Sequence, residues 1–565
     1  MNQEIRSKLD RICNILWGGG LAVPTLFVEQ ISYLIYLKLL DEREAELEVK
    51  ARLLKGKGNG KPLFPDQASR YRWSNWRFKS GKDLRDFVRD EVFPYMASLL
   101  KEEPQVAIYF QDAKLEIEDP HVLKEVIDGL DTFQFGKLGP DVKGDIFEYL
   151  LQYLSRQPQS DMGQFRTPRQ IRMAMVEMVD PDLGDTICDL ACGTAGFLVD
   201  CVEHILAKYS AEPREVPIYG EEWLADRGWT LAQARKDIPN LQTYRKGAGE
   251  KIPNWELLER SIFGFEVSRQ MMRISMMNLV LHGIRNAHVK RANALSELGG
   301  MSDEDLRRRY KCVLMNPPFA GMLPAESIRK DLPTQSKKSE LLFLGLAMES
   351  LAPGGVCAII VPEGALFGST SGHVELRKKL LEDYELLAVI SLPAGVFKPY
   401  AGVKTGILVF RRPQAISTSS ESGRREREVR AKRLDRCIWF YQINNDGYDP
   451  DKITGGGRPE TPERNEIPEM LRQWRTFRES GFKKPPGTEA GALLPPGTEE
   501  AKCWWAKVST IAGNDFNLGA GRYKPQVAEK APEEDPVELI SRTLQVEQNI
   551  AADLKTLLKQ VEAVK

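Results

Sequence analysis

Between about residues 160 and 412, short apolar runs rich in β-branched residues alternate with stretches of helical spacing, and this alternation limits the possible folds. The runs are Thr186–Leu190, Ile262–Val267, Cys312–Met315, Val356–Val361, Leu386–Leu392 and Thr405–Phe410. Strands separated by helices pair in parallel through crossovers, so the segment predicts an α/β domain with a mostly parallel sheet. The last two runs, within 384–411, are joined by a short connector containing Gly395 and Gly402. That connection predicts an antiparallel pair at one edge of the sheet.

A chain of 565 residues is long for one hydrophobic core and implies two or three domains. From Met1 to about Gln157 the spacing is helical, with Phe27, Ile31, Leu34 and Ile35 on one face and Ile146, Phe147, Leu150, Leu151 and Leu154 on another. Residues 1–157 therefore read as an N-terminal helical domain and 158–412 as the α/β core. Within the core, residues 205–258, carrying Trp223, Trp229 and Trp255, form a longer connection than a βαβ unit needs, and read as an insertion. Residues 413–533 read as a polar linker, with Ser417–Ser420 and Arg424-Arg425-Glu426-Arg427, leading into a loop-rich extension in which Pro-Pro-Gly-Thr-Glu occurs twice. Over 534–565, Val537, Ile540, Leu544, Ala551, Leu554, Leu558 and Val561 mark one face of a C-terminal helix with Pro536 near its start. That stripe has to be buried, either within the chain or against a partner.

The net charge of -1 gives no global basic field, so contacts to a nucleic acid would come from local patches or from a partner protein. The eight cysteines form no C-x-x-C pair and no secretory signal follows Met1, which points to free thiols in a reducing cytoplasm. The five histidines have no zinc-site spacing with cysteine, and no metal site is expected. The apolar run Ile31 to Leu40 is interrupted by Lys38 and is too short to span a membrane. The loop Gly56 to Lys61 fails as a phosphate loop, because Pro62 stands where Ser or Thr is needed.

The chemistry is concentrated at strand ends. Asp189-Leu190-Ala191-Cys192-Gly193-Thr194-Ala195-Gly196 follows the first strand and opens a helix. Its small residues let the backbone turn sharply and approach a ligand beyond the carboxyl ends of the strands. Glu266 ends the next strand, where a carboxylate can accept both hydroxyl protons of a ribose. Asn293 follows the run His288–Arg291 and can hydrogen-bond an adenine edge. Asn316-Pro317-Pro318-Phe319 follows Cys312–Met315 directly. The prolines fix the backbone and leave carbonyls free, so the Asn316 carboxamide oxygen and the Pro317 carbonyl form two acceptors for the two protons of an exocyclic amine. Held this way, the amine is aligned for in-line attack on a sulfonium methyl, and Phe319 gives a face on which a planar base can stack. Taken alone, the tetrapeptide supports methyl transfer to any such amine, including an RNA base or a protein glutamine.

The ordered set Gly163-Gln164-Phe165-Arg166-Thr167-Pro168-Arg169, Asp189 to Leu198, Glu266 and Asn316 to Phe319 resembles the amino-methyltransferases of DNA. More closely, it is similar to the modification subunits of type I restriction–modification systems. Leu351-Ala352-Pro353-Gly354-Gly355, Val361 to Phe367 and Leu392-Pro393-Ala394-Gly395-Val396-Phe397 extend the likeness across the core. The resemblance implies a Rossmann-like methyltransferase core with a seven-stranded, mostly parallel sheet, flanked by N-terminal and C-terminal helical parts. It implies S-adenosylmethionine as cofactor, bound by Gln164 through Arg169, Asp189, Ala191, Gly193, Thr194, Ala195 and Gly196, with Glu266 on the ribose and Asn293 near the adenine. Thr167 before Pro168 also reads independently as a helix N-cap. Arg166 stands where the family commonly carries an aromatic or apolar residue. Asn316, Pro317, Pro318 and Phe319 would act on a flipped adenine in double-stranded DNA. The resemblance further implies a specificity subunit (S) that reads the sequence and a separate ATP-dependent restriction subunit (R). The helix over 537–564 is then the candidate docking element, alongside the N-terminal helical domain, which can also close over DNA. A cofactor-binding scaffold without catalysis is the non-enzymatic alternative.

Overall fold

The computed structural model describes residues 3–21, 23–53, 62–99, 103–138, 140–155, 167–211, 225–230, 233, 245–246, 251–252, 255–319, 321–398, 402–414, 435–449, 451–452, 458–483, 502–525 and 536–564. The main sheet consists of β1 Ile187–Asp189, β2 Ile262–Glu266, β3 His288–Arg291, β4 Tyr310–Met315, β5 Leu351–Pro362, β6 Glu385–Ser391, β7 Thr405–Arg411, β8 Cys437–Gln442 and β9 Cys503–Lys507. The spatial order is β9-β8-β6-β7-β5-β4-β1-β2-β3, nine strands instead of the seven expected. Strands β3, β2, β1, β4 and β5 are parallel, and β7 runs antiparallel to both β5 and β6.

The pair β6–β7 is antiparallel as predicted, but it does not form the edge. Strand β8 pairs in parallel with β6, and β9 closes that side in antiparallel register. Both added strands come from the segment read as linker and loops. They are held there by aromatic burial: Trp439 on β8 packs against Trp474 and Phe477 of the helix Ile467–Glu479, at ring-centroid distances of 5.7 and 6.1 Å. That helix folds back onto the helix Arg169–Val179, where Asn465 Nδ2 donates to Gln170 Oε1 at 2.7 Å.

The centre of the sheet is apolar because both faces are covered. Cys357, Ala358, Ile359, Ile360 and Val361 of β5 have no exposed surface. Strand order reverses at β1, which lies between β2 and β4. Connections leaving the carboxyl ends of β1 and β4 therefore go to opposite faces and open a crevice between them.

The described part of the N-terminal region is helical. Phe27, Ile31, Leu34 and Ile35 are all buried in the helix Pro24–Leu53, and Asp119 caps the helix Pro120–Asp131 by accepting from His121 N–H at 2.8 Å. This region packs on the helix Arg269–Leu281 that follows β2. There Arg273 donates to Glu29 at 2.5 Å with both side chains buried, and Arg269 pairs with Asp112 at 2.6 Å. In the predicted insertion, Trp229 is buried and donates to the Gly184 carbonyl at 2.9 Å, anchoring its segment ahead of β1.

The helix Pro536–Val564 is the exception to compact packing. Val537, Ile540, Leu544 and Leu554 are each more than half exposed, so among the described residues nothing in the chain covers its apolar stripe. No helix among the described residues is long and apolar enough to cross a membrane.

Candidate active site

The reversal of strand order brings three sequence motifs into one cleft. Thr167, Asp189, Ala191, Thr194, Gly196 and Asn316 all line it. The loop after β1 takes its turn through left-handed residues, Gly193 at φ 52° and Ala195 at φ 61°. Glycine adopts that conformation freely, whereas Ala195 holds it against a steric cost of about 1 kcal/mol. Such local strain is tolerated where surrounding contacts fix the loop, and here they do. Gly193 N–H donates to Glu266 Oε2 at 3.0 Å, and Asn278 Nδ2 donates to the Thr194 carbonyl at 2.8 Å.

Gly196 has a different reason to lack a side chain. A Cβ there would lie 2.9 Å from Arg172 Nε. The guanidinium cannot move aside, because Nε donates to Asp200 Oδ2 at 2.7 Å and Nη1 donates to the Thr167 carbonyl at 3.0 Å. Arg172 and Asp200 are both buried. Neither was singled out by sequence, although a cation among Ile171, Ala174 and Met175 on a helix face is the signal that marks such a pair.

Asp189 and Glu266 are buried carboxylates on adjacent strand ends, and among the described residues no cation pairs with either. Burial pushes the Asp189 carboxyl up to about 8, with the Ala191 N–H opposing and the nearby Glu266 charge adding to the rise. Burial also raises the Glu266 carboxyl, against the N–H groups of Ser268 and Gly193. A pair of desolvated carboxylates without a counter-cation favours a ligand that carries positive charge. S-adenosylmethionine, with a sulfonium and an ammonium at one end and ribose hydroxyls in the middle, fits this donor-poor, acceptor-rich cradle.

Asn316 ends β4 at the same cleft. Its Nδ2 donates to Thr167 Oγ1 at 2.9 Å, while its Oδ1 is buried and has no hydrogen-bond partner among the described residues. A buried orphan acceptor costs about 1–3 kcal/mol, so it marks a place where a donor is meant to arrive. Pro317 is buried, Pro318 is exposed, and the Pro318 carbonyl accepts from Ser339 Oγ at 3.5 Å. Phe319 is half-buried and meets Phe397 edge-on at 5.1 Å, forming an aromatic corner beside Asn316. Phe397 lies in the Leu392–Phe397 motif, but its partnership with Phe319 had no sequence signal.

Other predicted site residues are placed differently. Thr167 is not the N-cap: the helix Arg169–Val179 begins after Pro168 with no side-chain cap, and the Thr167 hydroxyl is turned to Asn316 instead. Arg169 is exposed and pairs with Glu203 at 3.3 Å, and it is not among the residues that line the cleft. Asn293 uses its Oδ1 to accept from the Leu295 N–H at 3.1 Å, which closes its own turn. Gln164, Phe165 and Arg166 lie outside the described residues.

Known proteins share both sequence and architecture with this chain. Residues 139–239 and 250–532 match the N-6 DNA Methylase family, and residues 5–130 match the HsdM N-terminal domain. The chain is 27% identical over 546 residues to the type I restriction enzyme EcoEI methylase subunit of Escherichia coli, covering 94% of this chain and 92% of that one. It is 26% identical over 449 residues to the EcoKI methylase subunit of Escherichia coli strain K12, covering 78% and 72%. A solved chain from a study of complex assembly and conformational transition of the type I R-M system aligns with a TM-score of 0.64 and 25% identity, covering 100% and 99%. The methyltransferase subunit of a type I restriction-modification system from Streptococcus thermophilus, 16% identical, shares the fold with a TM-score of 0.61 over 92% of this chain and 99% of that one. The N-6 DNA Methylase match over 139–239 and 250–532 takes in the residues that line the cleft, so the chain belongs to the N-6 DNA methylase family and is an S-adenosylmethionine-dependent DNA methyltransferase.

Proposed function

We propose that the chain methylates the N6 position of adenine in double-stranded DNA, as the modification subunit of a type I restriction–modification complex in the cytoplasm. The observation that carries this reading is the buried Asn316 Oδ1 at the end of β4, without a partner among the described residues, in the cleft that also holds Asp189. When bound, S-adenosylmethionine supplies an electrophilic methyl group on a positively charged sulfur. Thr167 fixes the carboxamide of Asn316 so that Oδ1 faces the amine, and accepting an N6 proton there draws the nitrogen lone pair out of ring conjugation. With the donor held in the cleft, that lone pair would face the methyl carbon; the N–C bond would form as the C–S bond breaks, with the C–S electron pair remaining on sulfur and one N6 proton released to water. Phe319 and Phe397 hold the extruded base by stacking, because N6 inside a duplex is paired and out of reach. Asp189 and Glu266 orient the donor through its cationic end and ribose hydroxyls, with the loop Ala191 to Gly196 against it.

Tritiated methyl transfer to DNA, RNA and protein, followed by hydrolysis of the product, tests the substrate. The expected label is N6-methyladenine in DNA alone. Label on an RNA base or on glutamine would favour the second amine class that the Asn-Pro-Pro-Phe chemistry permits.

Sequence choice is assigned to a specificity subunit and cleavage to a separate ATP-dependent subunit. Residues 1–157 and the helix within 534–565 flank the catalytic core of 158–412, with 205–258 inserted and 413–533 as an extension that adds two strands to the sheet of the core. The exposed apolar stripe of the helix Pro536–Val564 is the docking element, since more than half of each of Val537, Ile540, Leu544 and Leu554 faces solvent. Removing residues 536–565 is expected to abolish co-purification with the specificity subunit while leaving S-adenosylmethionine affinity unchanged. Retained association would reject this role for the helix.

A further inference from the structure

The segment after the catalytic tetrapeptide folds into a short ribbon with one face turned outward. Ser339 N–H donates to the Gly321 carbonyl at 3.0 Å and Leu323 N–H donates to the Lys337 carbonyl at 2.9 Å, which puts Met322 directly opposite Lys338. The pairing is close, since a Cβ on Gly321 would lie 2.9 Å from Ser339 Oγ. Side chains directly opposite in an antiparallel pair share a face. On the inner face, Ser339 is buried and its hydroxyl donates to the Pro318 carbonyl, so the ribbon is seated on the tetrapeptide itself. On the outer face Met322 is 76% exposed, and Lys338 beside it is exposed as well. Lys330 and Lys337 add exposed positive charge within the same segment.

The ribbon thus presents a long apolar side chain beside a lysine, next to the catalytic tetrapeptide. We infer that this ribbon is a DNA-contacting lip, in which Met322 enters the base stack at the gap left by the extruded adenine and Lys338 holds a flanking phosphate. The inference rests on the adenine-methylation reading above. An unbranched thioether adapts to an irregular gap, and apolar wedges offset the loss of stacking when a duplex is opened. Lysine supplies the phosphate contact as a point charge, and neutralising one phosphate adds about 0.9 to the salt slope of binding. Seating on Pro318 ties both contacts to the position of Asn316, so DNA that reaches the lip presents its open step at the catalytic acceptor.

The test uses the full-length chain assembled with its specificity subunit, on duplexes with 2-aminopurine at the methylated position found by base-resolved sequencing. Met322→Ala is expected to reduce the fluorescence increase on binding at least threefold, with S-adenosylmethionine affinity unchanged. Lys338→Gln is expected to lower the slope of log K against log salt by about one. An unchanged fluorescence response in the first variant, or an unchanged slope in the second, would overturn the inference. If Lys338→Gln weakens assembly with the specificity subunit but not the salt slope, the lip belongs to a protein interface and the inference also fails. Failure of the underlying reading is separate, because the parent complex would then leave DNA adenine unmethylated.

Discussion

Replacing Asn316 with alanine is expected to slow methyl transfer by about 10²–10³-fold, in line with the loss of one preorganised partner for developing charge. The side chain is divided between two tasks. Its Nδ2 is spent on Thr167 Oγ1 at 2.9 Å, which fixes the rotamer, and its Oδ1 is left buried without a partner among the described residues. Alanine removes the acceptor and the tether together, so the amine is neither aligned nor polarised. The cofactor cradle of Asp189, Glu266 and the Gly193–Gly196 turn is held by separate hydrogen bonds to Ala191, Ser268 and Asn278. The loss should therefore fall on kcat in single-turnover tritium transfer, with S-adenosylmethionine affinity changed less than threefold.

Asn316→Asp refines the same expectation. A carboxylate keeps an acceptor for the amine, and the Thr167 hydroxyl can rotate to donate where it had accepted. This variant should retain more activity than alanine while binding cofactor equally. If the alanine variant keeps more than a tenth of the parent rate, the amine is held by some other group.

The tetrapeptide was legible because its chemistry is local: an Asn, two prolines and an aromatic at a strand end specify an amine acceptor before any contact is known. The cradle was legible for the same reason, from small residues and acids at the carboxyl ends of short apolar runs. The features that escaped were long-range. Thr167 reads as a cap because Pro168 follows it, yet its hydroxyl serves a residue 149 positions away. The Phe319–Phe397 corner joins two motifs whose adjacency depends on β7 returning between β5 and β6. Strands β8 and β9 were hidden by the Pro/Gly-rich and basic segments around them. Cys437–Gln442 is apolar enough for a strand, but only its register with Ala388 to Ser391 decides that it is one.

The Arg172–Asp200 pair was also hidden, and it sets the second large effect. Arg172→Leu is expected to destabilise the core by about 3–5 kcal/mol, because it leaves a buried carboxylate without a counter-charge. The Asp200 carboxyl is already raised by burial, with Arg172 the main opposing influence. Removing the cation would drive it to take up a proton or force the helix Gly196–Ala211 to move. Removing both charges is a different experiment. Arg172→Leu combined with Asp200→Leu replaces the pair with apolar volume and should recover most of the loss, as measured by denaturant unfolding. Methyl transfer should not recover with it. Arg172 Nη1 also donates to the Thr167 carbonyl at 3.0 Å, and Thr167 is what Asn316 leans on. A double variant that regained stability and full activity together would show that the ion pair only supports the fold. Regained stability with persistently low kcat would identify Arg172 as the positioning residue that carries the order of the α/β core to the catalytic amide.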